Sequence, residues 1–155
     1  MFKSAHAVTA DWKTGVDSCL AQLGQGSSSA GANLGFLYIT EALSDSLDLI
    51  LHDLRERSGI SHWVGGTGLG VCINNQSSCG EFFDDPTMVI LAAKVPPGSF
   101  ILFPASDSSG DPGADLDRQE IASETSKKDW PAGLPFVVAH AVSYTHLTLP
   151  TTPYV

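Results

Sequence analysis

Seven consecutive residues, Leu34–Thr40 (LGFLYIT), constrain this chain more than any other stretch. A strand with one wet face alternates apolar and polar side chains; this run does not, so both of its faces are expected to be buried. A helical pattern follows. Leu47, Ile50, Leu51 and Leu54 fall on one stripe, Asp45 and Asp48 suit the positive end of a helix dipole, and Arg55 and Arg57 suit its negative end. Ser44 is the expected N-cap and Gly59 the residue that ends the helix, predicted over Ser44–Ser58. A doubly buried strand leading into a helix with one apolar face belongs to an α/β fold, here read as a mixed β-sheet with packed helices.

The remaining segments fit that class. Phe2–Val8 reads as an opening strand. A second helix is predicted over Ala10–Leu23, because Trp12, Val16, Cys19, Leu20 and Leu23 form one stripe and Gly24 stops it. Gln25–Asn33 reads as a Gly/Ser/Ala loop. His62–Val64 and Val71–Ile73 are short strands around a turn at Gly65–Gly70, and Asn74–Gly80 is another turn. Glu81–Asp85 leads through Pro86 to a strand over Met88–Val95. Pro96, Pro97 and Gly98 turn the chain toward a hairpin partner at Ser99–Phe103. Residues 104–133 form an acidic Ser/Asp/Gly-rich loop, and Leu134–Ala141 a last strand.

Charge narrows the function classes. The chain has 155 residues, a size for one domain with a substantial core. It carries eight Lys and Arg against seventeen Asp and Glu, a formal net charge of −9. Such a surface repels phosphate backbones and anionic lipid, so neither nucleic acid nor membrane insertion is expected. No apolar run approaches the length of a membrane span, and the first residues lack the apolar stretch of a signal peptide. Three cysteines, Cys19, Cys72 and Cys79, cannot all pair within the chain, which favours a reducing compartment and a cytoplasmic location.

Four motifs carry possible chemistry. The run Gly65-Gly66-Thr67-Gly68-Leu69-Gly70 is followed by strand-like residues rather than a helix, and no Walker lysine is present, so it does not read as a nucleotide loop. Its glycines either serve unusual backbone angles or let a ligand approach backbone N–H groups. Cys72 with His62 or His6 imitates a nucleophile and base, but no orienting third residue is identifiable, and a buried apolar role for Cys72 is the plainer reading. Cys72 and Cys79 lack the spacing of a zinc site, and no metal or cofactor is expected. Glu81, Asp84 and Asp85 form a carboxylate cluster best read as a solvated turn. The ligand-contacting set selected from the sequence is His62, Trp63, Gly65, Gly66, Thr67, Gly68 and Cys72, with Trp63 as an apolar wall and His62 as a polar handle.

Two features concern the chain's extent. Phe2–Val8 (FKSAHAV) resembles Phe136–Val142 (FVVAHAV), as if a second half of similar architecture began there. The last fourteen residues, Val142–Val155, are uncharged and rich in Thr and Pro; written as codons they resemble a sequencing adapter. They are expected to be an artefactual tail on an incomplete domain of residues 1–141.

The ordered series GFLYITEAL, LHDLRERSGISHWVGGTGLGVC and EFFDDPTMVILAAKVPPGSFILFP, with AHA before an aromatic-led helix, resembles the amino-terminal FIST domain over roughly residues 2–104. The resemblance implies a sensory domain of a signal-transduction protein that binds a small ligand such as an amino acid. It also implies one half of a larger pseudo-repeated sensor architecture, whose carboxy-terminal FIST domain is missing from this chain. The alternatives from other classes are a hydrolase built on Cys72 and a structural protein-interaction module.

Overall fold

A computed structural model describes residues 2–24, 31–75, 79–96, 98–100 and 102. Residues up to 96 belong to one compact unit, and Gly98, Ser99, Phe100 and Leu102 to a second. The first unit is mixed α/β. Its elements run β1 (Phe2–Val8), α1 (Trp12–Leu23), β2 (Leu34–Thr40), a 3-10 turn (Glu41–Ser46), α2 (Leu47–Ser58), β3 (His62–Gly68), β4 (Gly70–Asn74), β5 (Cys79–Phe83) and β6 (Thr87–Ala93).

Four strands form one sheet in the order β1-β6-β2-β3, and β4 and β5 form a separate hairpin. β6 lies between β1 and β2 and is antiparallel to both, while β2 and β3 are parallel. This placement explains the two unbroken apolar runs. β2 and β6 are the inner strands, covered on both faces, and almost every residue in them is buried.

Alternation along the strands sorts the side chains onto two faces. Ala5, Ala7, Leu37, Ile39, Trp63, Met88, Ile90 and Ala92 join Val16, Cys19, Leu20 and Leu23 of α1 and Ile50 and Leu54 of α2 in the main core. Val89, on the other face, packs with Val71 and Ile73 of the hairpin, flanked by Tyr38 and Phe82. The unit is thus layered: helices, sheet, hairpin. Arg57 ties the helices together, bonding Asp17 of α1 at 2.7 Å and Asp53 of its own helix at 3.0 Å.

The helix ends follow local chemistry. The Asp11 carboxylate caps α1, accepting from the Lys13 and Thr14 backbone N–H groups and from the Thr14 hydroxyl at 2.6 Å. The helix therefore starts at Trp12, later than the expected Ala10. α2 ends as predicted: Gly59 is left-handed at φ 71° and its N–H reaches the Arg55 carbonyl at 3.1 Å. Its start differs. Ser44 is no N-cap but lies inside the 3-10 turn, where its hydroxyl donates to the Glu41 carbonyl at 2.7 Å, one of the local bonds that serine offers in competition with a cap.

Three further expectations are corrected. Gly65–Gly70 is no turn. Residues 65–68 continue β3 alongside β2, Leu69 alone forms the bend, and Gly70 opens β4. Cys79 and Gly80, assigned to a turn, start β5 together with Glu81–Phe83. The expected hairpin partner of β6 has no edge to join, because β1 and β2 occupy both; the described residues of Ser99–Phe103 are not in a strand. The expected acidic loop at 104–133, the strand Leu134–Ala141 and the tail Val142–Val155 lie outside the described residues. Among the described residues, no helix is long and apolar enough to cross a membrane.

Candidate functional site

The glycines of β3 have different causes. Gly65 has φ 152°, and a Cβ there would stand 1.7 Å from the backbone oxygen of Leu37 on β2. No other residue fits, so this glycine exists for strand packing. Gly35 is the complementary case. It pairs in register with Trp63, whose ring occupies the place of a Cβ at 2.5 Å. Gly66, by contrast, has nothing within 4 Å of its Cβ position, and Gly68 meets only the Gly70 backbone, at 3.4 Å.

Period-two alternation divides the sequence-selected set. Trp63 lies in the helix-side core, 8% exposed, with its Nε1–H donating to the Ile60 carbonyl at 2.8 Å. It is therefore a core residue. Gly65 and Thr67 follow it onto the helix side, while His62, Gly66 and Gly68 belong to the hairpin side. His62 and Gly68 stand at opposite ends of β3, about 20 Å apart at strand rise. Cys72, expected as a small buried hydrophobe, is exposed instead; its neighbours Val71 and Ile73 turn inward, so it faces out from the hairpin. It does not share a face with His6. Of the seven residues, the fold brings together Gly66 and Gly68, as neighbours of Tyr38 and Thr40 on β2.

That pairing marks a polar region on the hairpin-side face of the sheet. Register aligns His6 of β1, Val89 of β6, Tyr38 of β2 and Gly66 of β3 in one row across the sheet. The adjoining row contains Val8 paired with Thr87 and Thr40 paired with Gly68. The Thr40 hydroxyl donates to the Asp85 carbonyl at 2.8 Å and accepts from the Thr87 N–H at 2.9 Å, joining the end of β2 to the start of β6. Phe82 of β5 covers the row from above, its ring 5.5 Å from that of His6 and inclined by 31°. Asn75, just past β4, anchors the cover by donating to the Ser4 hydroxyl at 3.0 Å.

Two polar atoms here are buried without a hydrogen-bond partner: His6 Nδ1 and Thr87 Oγ1. Thr87 is wholly buried. An unpaired buried polar group costs about 1–3 kcal/mol, so native folds rarely keep one without a reason. His6 and Thr87 lie on adjoining strands and rows, and the open side of Gly66 lies on the same sheet face at its far edge, beyond Tyr38. Partial burial holds the Tyr38 phenol above the ordinary tyrosine value, so at neutral pH it remains protonated. The region thus offers an imidazole and hydroxyls, bordered by the aromatic ring of Phe82, and no carboxylate or cation in either row.

Elsewhere the titratable groups are dispersed. Glu81, Asp84 and Asp85 are exposed, and Asp84 takes the positive φ of 62° that aspartate tolerates in turns. Among the described residues, no group of His, Cys, Asp and Glu side chains is placed to hold a metal ion. Burial pushes the Cys19 thiol up to about 12, consistent with an inert core position. Sequence reasoning had met His6 only as a base for Cys72, and it missed Tyr38, Thr40 and Thr87. Their sole sequence signal is polar atoms within or beside apolar strands. No protein-family model, no curated protein and no solved structure matches the chain.

Proposed function

We propose that this chain is a small-ligand-sensing domain of the FIST type, and that its ligand binds on the sheet face beside the hairpin, between His6, Tyr38, Gly66 and Thr87. The observation that carries this reading is the pair of buried, unpartnered polar atoms, His6 Nδ1 and Thr87 Oγ1, on adjoining strands. A bound molecule with one donor and one acceptor satisfies both and offsets their burial cost. The open side of Gly66 admits that molecule to the β3 backbone, while Phe82 supplies an apolar contact. The resemblance supplies the ligand class, an amino acid, and the role in signalling.

The test is a thermal-shift screen of the full chain against the common amino acids. A molecule that binds the native state alone stabilises it by about 2.7 kcal/mol at a hundredfold excess over Kd. A hit that raises Tm in the parent chain, and no longer does so in Thr87→Val and Tyr38→Phe, supports the site. A screen without a hit, or a hit that survives both substitutions undiminished, overturns it.

The interaction-module reading has one observation of its own. Leu69 and Phe83, 73% and 61% exposed, adjoin at the end of the hairpin where Gly70 pairs with Phe83. Replacing Phe83 with Ser separates the two readings: it alters association in a sedimentation experiment under the module reading and leaves the ligand response intact under the sensor reading.

A further inference from the structure

The outer face of the β4–β5 hairpin presents two exposed thiols. Cys72 stands opposite Glu81, and Asn74 opposite Cys79, in antiparallel register. Val71 and Ile73 turn toward the sheet, so Cys72, Asn74, Cys79 and Glu81 share the outward face, all of them exposed. Cys72 and Cys79 are therefore diagonal neighbours on adjacent strands, with Cβ atoms on the order of 7 Å apart. A disulfide needs about 3.5–4.5 Å between them. Closing that gap requires the hairpin backbone to move, and a two-stranded ribbon is the kind of sheet that twists most.

We propose that Cys72 and Cys79 form a reversible disulfide across the hairpin, a thiol–disulfide modification site independent of the ligand reading above. With a small disulfide such as oxidised glutathione as oxidant, the Cys72 thiolate attacks one sulfur and expels a glutathione thiolate, which takes up the proton Cys72 lost. The Cys79 thiolate then attacks the Cys72 sulfur of the mixed disulfide and expels the second glutathione, which takes up the proton of Cys79. One S–S bond forms in the protein, and the oxidant's S–S bond becomes two thiols. Closing the gap strains the hairpin, which makes the bond of the labile, easily reduced kind rather than a permanent staple. Cys19 takes no part, since it is wholly buried in α1.

The experiment equilibrates the full chain in glutathione buffers of increasing oxidised fraction, traps the remaining thiols with iodoacetamide and maps the peptides by mass. The wild-type chain is expected to lose two hydrogens, to yield a cross-linked Cys72–Cys79 peptide and to retain no glutathione. Cys72→Ser and Cys79→Ser are each expected to accumulate a glutathione adduct on the remaining exposed cysteine, having no second thiol to expel it. A wild-type chain that carries glutathione on both cysteines, that cross-links only between chains, or whose thiols stay reduced throughout overturns the proposal.

Discussion

Gly65 and Gly66 sit side by side in one strand and answer to different neighbours. Gly65→Ala drives a methyl group into the Leu37 carbonyl at a φ that alanine avoids, so unfolding by urea should show a loss of about 3 kcal/mol or more. Gly66→Ala meets open space and should change stability by no more than about 1 kcal/mol, while blunting the response to any ligand found by thermal shift. Thr87→Val should stabilise the chain by about 1 kcal/mol, since it replaces an unpaired buried hydroxyl with a methyl of the same shape. A loss of similar size would show that the hydroxyl is paired in solution. Trp63→Phe should cost about 1–2 kcal/mol through the orphaned Ile60 carbonyl. From the sequence, the glycines were legible as costly but not as assigned. The atom that requires Gly65 belongs to a strand nearly thirty residues earlier, and only register reveals it. His6, Tyr38 and Thr87 were illegible as a group for the same reason.

At the scale of elements, β2 and α2 were readable because each carries a complete signal: an unbroken apolar run in one, a stripe with charged ends in the other. β3 was read short, and β5 was read as a turn and a lead-in to Pro86 rather than as a strand. Three glycines in β3 mimic a turn, and Cys79-Gly-Glu-Phe-Phe lacks the β-branched residues that advertise a strand. The α1 cap has a pH signature. The Thr14 hydroxyl, helped by the Lys13 and Thr14 N–H groups, holds the Asp11 carboxyl below its ordinary value. A folded-state value lower than the unfolded one stabilises the fold above the usual aspartate range, near about 3.9, and that contribution fades as pH falls through the folded value. Circular dichroism during acid titration should show wild-type α1 losing stability in that window, and Asp11→Asn should flatten this part of the profile. An unchanged profile in the variant would mean the cap carries no linkage.

For the unit as a whole, the order of strands in space departs from their order along the chain. β6, made last among the described strands, fills the slot between β1 and β2 and bonds to both. Until it arrives, the strands it joins lack their shared partner, and Met88 and Ile90 are absent from the main core. During synthesis, therefore, the chain must emerge through Ala93 before the sheet can close. Until then two unsatisfied strand edges are available to any passing chain, the situation in which aggregation competes with folding. A chain stopped at Pro86 should remain unfolded by circular dichroism and partition with chaperones, whereas one carried through Pro96 acquires its final strand and escapes them.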